Sequence, residues 1–191
     1  PVTDEGTVQS EKLSEYITDN TGLVSVMLAN NEIGTIEPIK ELTRIAHEHG
    51  ALFHTDAVQA VGHIPINVKE LDVDMLSASA HKFNGMKGSG FLYIRKGVEL
   101  YPYVDGGSQE HGRRAGTENV AAIAAMAVAL KKNCNRMEES MKRLRKLEKI
   151  LLDELTFAGV EYRRNGNGYR LPGNVNISIK GADGEMLLHR L

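Results

Sequence analysis

The chain has 191 residues, enough for one substantial core or for parts of two domains. It is 41% hydrophobic and 25% charged, ordinary for a globular protein, and a net charge of −2 gives no electrostatic reason to expect nucleic acid or an anionic membrane as partner. One cysteine, Cys134, excludes an internal disulfide; no apolar run nears the roughly 20 residues that span a bilayer and no signal peptide opens the chain, so the expected compartment is the cytosol.

Pro1-Val-Thr-Asp-Glu-Gly6 reads as the exit of a strand already under way, and residues 182–191 open as a helix that stops in mid-pattern. Both ends are expected to be cuts in a longer chain. Between them the first helix is predicted over 7–19, with Val8, Leu13, Tyr16 and Ile17 apolar and Asn20-Thr-Gly22 as its stop. Residues 23–29 form a short continuous apolar run, a buried strand, and 30–34 a loop. An amphipathic helix follows over 38–49, carrying Ile39, Leu42, Ile45 and Ala46 on one face and closing at Gly50. Strands are predicted over 51–55, 74–78 and 90–95, the last hairpinned through the Gly85–Gly88 region. Strand, helix, strand at this spacing implies βαβ units, an α/β fold and a mostly parallel sheet with flanking helices.

The glycine-rich stretch 106–117 is a loop, and a long helix runs from about 118 past 152. Its first half is alanine-rich and expected to be buried. Its second half alternates charges around an apolar stripe at Met137, Met141, Leu144 and Leu147. Strands over 160–163 and 174–180 then belong to a smaller α+β unit. The passage between domains is placed within the long helix, dividing the chain into 1–130 and 131–191.

Two strand ends carry the chemistry. Ala51-Leu-Phe-His-Thr-Asp56 ends in an acid, and Leu76-Ser-Ala-Ser-Ala-His-Lys82 ends in His-Lys. In a parallel sheet both open at the carboxyl edge, where ligands bind. A pyridoxal phosphate enzyme needs such a pair: a lysine amine for the cofactor aldehyde and a carboxylate that keeps the pyridine nitrogen protonated. Taken singly, Lys82 reads as an exposed loop lysine, and for Asp56 the alternative to a cofactor partner is the cap of a helix starting at Ala57. Gln59 lies one turn beyond Asp56 if that segment is helical and suits a ring hydroxyl; Ser79 and His81 suit a phosphate. His47, His49, His54 and His63 show no ligand spacing, and no metal site is expected.

Five motifs in order, Asn30-Asn-Glu-Ile-Gly34, His54-Thr-Asp-Ala-Val-Gln59, Ser77-Ala-Ser-Ala-His-Lys-Phe-Asn-Gly85, Gly106-Gly-Ser-Gln-Glu110 and Arg113-Arg-Ala-Gly-Thr-Glu-Asn119, resemble those of the cysteine desulfurases, class V aminotransferases of the pyridoxal phosphate fold type I. The resemblance spans nearly the whole chain. It implies that 1–130 is part of the large cofactor-binding domain and 131–191 the connecting helix and the start of a small C-terminal domain. Lys82 would bond the cofactor aldehyde and then shuttle protons. Asp56 would hold the pyridine nitrogen and Gln59 the ring hydroxyl, with Asn31 beside ring and substrate. Ser79 and His81 would hold the phosphate, and Thr117 would reach the phosphate of the neighbouring subunit in a homodimer. The implied reaction takes L-cysteine to L-alanine and leaves the sulfur on an enzyme cysteine as a persulfide, for iron–sulfur clusters or related products.

Three departures accompany it. The family's sulfur-accepting cysteine lies beyond the helix that begins near Asp183, and Cys134 has no matching loop around it. The family's N-terminal part, with a phosphate-binding loop and a ring-stacking histidine, is absent. Gly-Gly-Ser stands where many relatives have three glycines. The 191 residues alone are expected to be inactive. Another class V enzyme, such as a selenocysteine lyase or an aminotransferase, shares the lysine and the acid. A module docking scaffold or sulfur-acceptor proteins through the charged face of 131–149 is the reading from outside enzymes.

Overall fold

The computed structural model describes residues 1–166 and 168–190. After a bridge between Val2 and Val8, helix α1 covers Ser10–Tyr16. It starts three residues later than the periodicity predicts because Val8 is committed to that bridge, and it stops where Ile17 turns extended. Strand β1 is Leu23–Met27, α2 is Ile39–Glu48, β2 is Leu52–Asp56, β3 is Met75–Ser79 and β4 is Gly90–Ile94. β1 ends at Met27 because the chain then leaves β2, and Ala29 pairs instead with Ile36.

The predicted stripe of α2 is the one that packs: Ile39, Leu42, Ile45 and Ala46 are all buried. Gly50, at φ +75°, closes the helix, with its own N–H on the His47 carbonyl and the Ala51 N–H on that of Ala46. The chain can thus reverse directly into β2, whose Phe53 and Thr55 are fully buried on the face toward α2. The sheet runs β1-β2-β3-β4, parallel across the first three strands and antiparallel at β4, the hairpin partner expected of 90–95.

Strand residues alternate between faces. The face opposite α2 carries Leu23, Ser25 and Met27 on β1, His54 and Asp56 on β2, and Ser77 and Ser79 on β3. It is open to solvent along β1, with Leu23 52% and Met27 36% exposed. At the amino edge of the same sheet, buried Asp74 ties four elements together. Its Oδ2 accepts from Phe53 N–H at 2.7 Å and lies 2.8 Å from His47 Nε2, while Arg95 Nε stands 3.3 Å from Oδ1.

Short elements that the periodicity does not predict are α3, Val68–Leu71, a 3-10 turn over Ala80–Phe83, and α4, Gln109–Gly112, within the glycine-rich loop. The long helix α5 runs unbroken over Val120–Phe157, capped by Asn119 Oδ1 on the Ala122 N–H at 3.1 Å. Its alanine-rich first half is not buried as expected. Ala122 is its one buried residue among those described, Ala125, Met126, Ala129 and Leu130 are half-buried, and Val120 and Val128 face solvent. Composition marked the segment as apolar, but the rest of the chain covers only one side of it. The later stripe holds at Met137, Met141 and Leu144 and fails at Leu147, which is exposed while neighbouring Glu148 turns inward to pair with Arg164.

Strands β5, Tyr162–Arg164, and β6, Ile177–Ile179, form a separate antiparallel pair, followed by α6, Gly184–Leu188, with Asp183 as its cap. Leu191, at the end of the expected C-terminal helix, lies outside the described residues. The stretch between β5 and β6 folds back onto the loop after β1. Leu171 N–H bonds the Gly34 carbonyl, Ile36 N–H bonds that of Tyr169, and Asn174 and Asn176 reach the carbonyls of Asn31 and Glu32. Among the described residues no helix is long and apolar enough to cross a membrane.

Candidate active site

Parallel pairing of β1, β2 and β3 puts their carboxyl ends side by side, and the predicted site residues emerge there. Asn31 is exposed in the loop after β1. Asp56 is the last residue of β2, Gln59 lies three residues further, and Ser79 ends β3, with His81 and Lys82 in the turn that follows. The register sets Asp56 opposite Met27 on one side and Ser77 on the other.

Asp56 caps a turn, not the helix expected to start at Ala57. Its Oδ1 accepts from the Val58 N–H at 2.8 Å, a local cap on the turn that follows. Among the described residues Oδ2 takes no hydrogen bond, so one carboxylate oxygen remains to face the open side of the sheet. The segment after Asp56 is not a regular helix but a chain of tight turns, in which Ala60 and Val61 N–H both return to the Ala57 carbonyl. That single turn carries half-buried Gln59 round toward the edge.

Lys82 is half-buried inside the 3-10 turn, and its Nζ has no hydrogen-bond partner among the described residues. The turn itself is firmly held. Phe83 is fully buried, Asn133 of α5 donates from Nδ2 to the Phe83 carbonyl at 2.6 Å, and His63 Nε2 donates to the Lys82 carbonyl at 2.8 Å. Gly62, at φ +80°, permits this approach, since a Cβ there would stand 2.9 Å from Phe83 Cβ. Ser79 Oγ and His81 Nδ1 lie 2.8 Å apart at the mouth of the same turn. Thr117 is exposed just before α5 and shares no hydrogen bond with the other six residues among those described.

Sequence reasoning missed His63 and Asn133, which hold the backbone around Lys82 rather than facing the edge. It also set aside His54, which the structure places on the Asp56 face between Ser25 and Ser77. Burial pushes the His54 imidazole below its ordinary value, and the Asp56 carboxylate offsets part of that. The one sequence signal for His54 is strand parity, two residues before Asp56.

Comparison with known proteins places the chain in a family. The profile of the class-V aminotransferases matches residues 1–191. Cysteine desulfurase IscS of Dictyoglomus turgidum is 50% identical over all of this chain and 49% of its own length, and that of Methanosarcina thermophila is 48% identical over 98% of this chain and 46% of its own. A solved NifS-like protein superposes with a TM-score of 0.92 at 39% identity, covering 99% of this chain and 52% of the other. The chain therefore spans about half the length of the relatives it matches. The matching profile and the α/β architecture agree over the full length: the chain belongs to the class-V aminotransferase family.

Proposed function

We propose that the chain carries the cofactor edge of a pyridoxal phosphate-dependent cysteine desulfurase. The observation that carries the reading is the delivery of Asp56 and Lys82 to one sheet edge by adjacent parallel strands. The donor set fits the cofactor. Asp56 Oδ2 is available for a protonated ring nitrogen, Lys82 Nζ for an aldehyde, Ser79 with His81 for a phosphate, and the Gln59 amide for a ring hydroxyl. Bound pyridoxal phosphate supplies an electron sink that makes the α-proton of an amino acid labile. Lys82, whose backbone is held by the anchored turn, carries the amine that takes and returns that proton. Asn31 stands beside ring and substrate. Thr117, remote from the other six in the hydrogen-bond pattern, serves the phosphate of a second subunit in a homodimer.

The substrate is L-cysteine. Its carbon–sulfur bond breaks and a sulfur–sulfur bond forms on an enzyme thiolate, leaving L-alanine and a persulfide for iron–sulfur clusters or related acceptors. The relatives named cysteine desulfurase support this choice over a selenocysteine lyase or an aminotransferase. Cys134 is not the acceptor in this reading. It is exposed on α5 next to Asn133, and one helical step of about 100° turns it off the face that holds the Lys82 turn. The acceptor is a cysteine outside these residues. Residues 1–130 belong to the cofactor domain and 131–191 to the connecting helix and a smaller domain, acting in the cytosol.

The test is borohydride reduction of the full-length enzyme with pyridoxal phosphate, followed by peptide mass analysis. Cofactor mass on Lys82 and not on Lys87, with L-alanine released from L-cysteine, is expected. Label on another lysine, or none, overturns the reading, and loss of both label and alanine in Lys82→Ala completes it.

A further inference from the structure

His54 has no part in the reaction as proposed, yet its position is specific. It shares the open face of β2 with Asp56, one side-chain repeat of roughly 6–7 Å nearer the start of the strand. Its ring links three strands: Nδ1 lies 2.8 Å from Ser25 Oγ on β1, and Nε2 lies 3.2 Å from Ser77 Oγ on β3. The register chooses both neighbours, since Ser25 pairs with His54 itself and Ser77 pairs with Asp56. A neutral ring meets two hydroxyls by donating to one and accepting from the other, which fixes its plane from both sides.

We propose that His54 is a positioning residue for the cofactor: its imidazole, locked between Ser25 and Ser77, forms a neutral floor beside Asp56 that leaves the carboxylate to the ring nitrogen. The inference rests on the pyridoxal phosphate reading of the site. Burial favours the uncharged ring, so near neutral pH His54 does not compete as a cation with the ring nitrogen for Asp56. The strands packed against His54 present Leu23, Ser25 and Met27 from β1 and Met75, Ser77 and Ser79 from β3, so Asp56 is the charged group it faces there. On acidification a protonated His54 becomes a rival partner for the carboxylate and loosens the cofactor.

The test compares full-length wild type, His54→Leu and His54→Gln. It reads cofactor dissociation by dialysis, the pH midpoint of the bound-cofactor absorbance, and the melting temperature of each apoenzyme. His54→Leu is expected to weaken cofactor binding about fivefold at neutral pH and to move the absorbance midpoint, while His54→Gln, keeping a polar group of similar reach, stays within about twofold of wild type. A His54→Leu apoenzyme that melts lower but binds with wild-type affinity and midpoint overturns the proposal, because the ring then only joins strands. Should His54→Leu fail to fold, Ser77→Ala is read on the same scales, and unchanged affinity and midpoint overturn it equally. Wild type that takes no cofactor at Lys82 defeats the functional reading itself, a result distinct from normal binding in the variants.

Discussion

At Asp56 one carboxylate oxygen serves the backbone, accepting the Val58 N–H at 2.8 Å, and the other is left to the open face. Two substitutions separate these tasks. Asp56→Asn keeps an acceptor for Val58 and removes the anion, and Asp56→Ala removes both. Each is expected to lower kcat/KM for L-cysteine by about fiftyfold or more, the loss of a charge-assisted hydrogen bond of about 2–3 kcal/mol. Asp56→Ala alone is expected to lose about 1 kcal/mol of stability in urea, the ordinary worth of a cap. Equal stability losses in both variants, with activity retained in Asp56→Asn, would leave only the capping role. Asp56 and Lys82 were legible as candidates in the sequence because each ends an apolar run, which is a local pattern. His63 and Asn133 were not, because their partners lie 19 and 50 residues away and no window of sequence contains both halves.

The 3-10 turn Ala80–Phe83 is the element on which the proposed chemistry depends. Four residues are too few to show a period, so the sequence announced the strand before the turn and the lysine within it but not the turn itself. Its rigidity comes from outside: Phe83 in the core, His63 on one carbonyl and Asn133 of α5 on the next. Asn133→Ala leaves the Phe83 carbonyl without its side-chain donor and is expected to cost about 1–2 kcal/mol of stability. It is also expected to slow borohydride trapping at Lys82, since the lysine loses its fixed approach. An unfolding midpoint that falls with no change in trapping would make α5 a support for the fold alone. The long helix itself was legible in extent, but its burial was not. Alanine content states that a surface is apolar, while what covers it is decided by residues elsewhere.

Over the whole molecule the two edges of the sheet divide their duties. The carboxyl edge gathers the candidate catalytic groups, and the amino edge is closed by Asp74, held by Phe53, His47 and Arg95 from three other elements. Asp74→Ala removes the common acceptor and strands the Phe53 N–H, and it is expected to destabilise the protein by about 3 kcal/mol in urea while leaving label on Lys82 at temperatures where the variant is folded. Loss of labelling in a folded variant would mean that the edges are not independent. The parallel order of β1 to β3 was legible from strand spacing, whereas this closure joins residues 47, 53, 74 and 95 and has no local signature. The return of 169–176 onto the loop after β1 has a mechanical consequence. The backbone carbonyls of Asn31, Glu32 and Gly34 are gripped from the C-terminal side by Asn174, Asn176 and Leu171. A displacement of residues 169–176 would therefore pull directly on the segment bearing Asn31, while Asp56 is held at the end of β2 and Lys82 in the anchored turn. The candidate site thus has one wall tied to residues 169–176 and the others tied to the sheet and the turn that follows it.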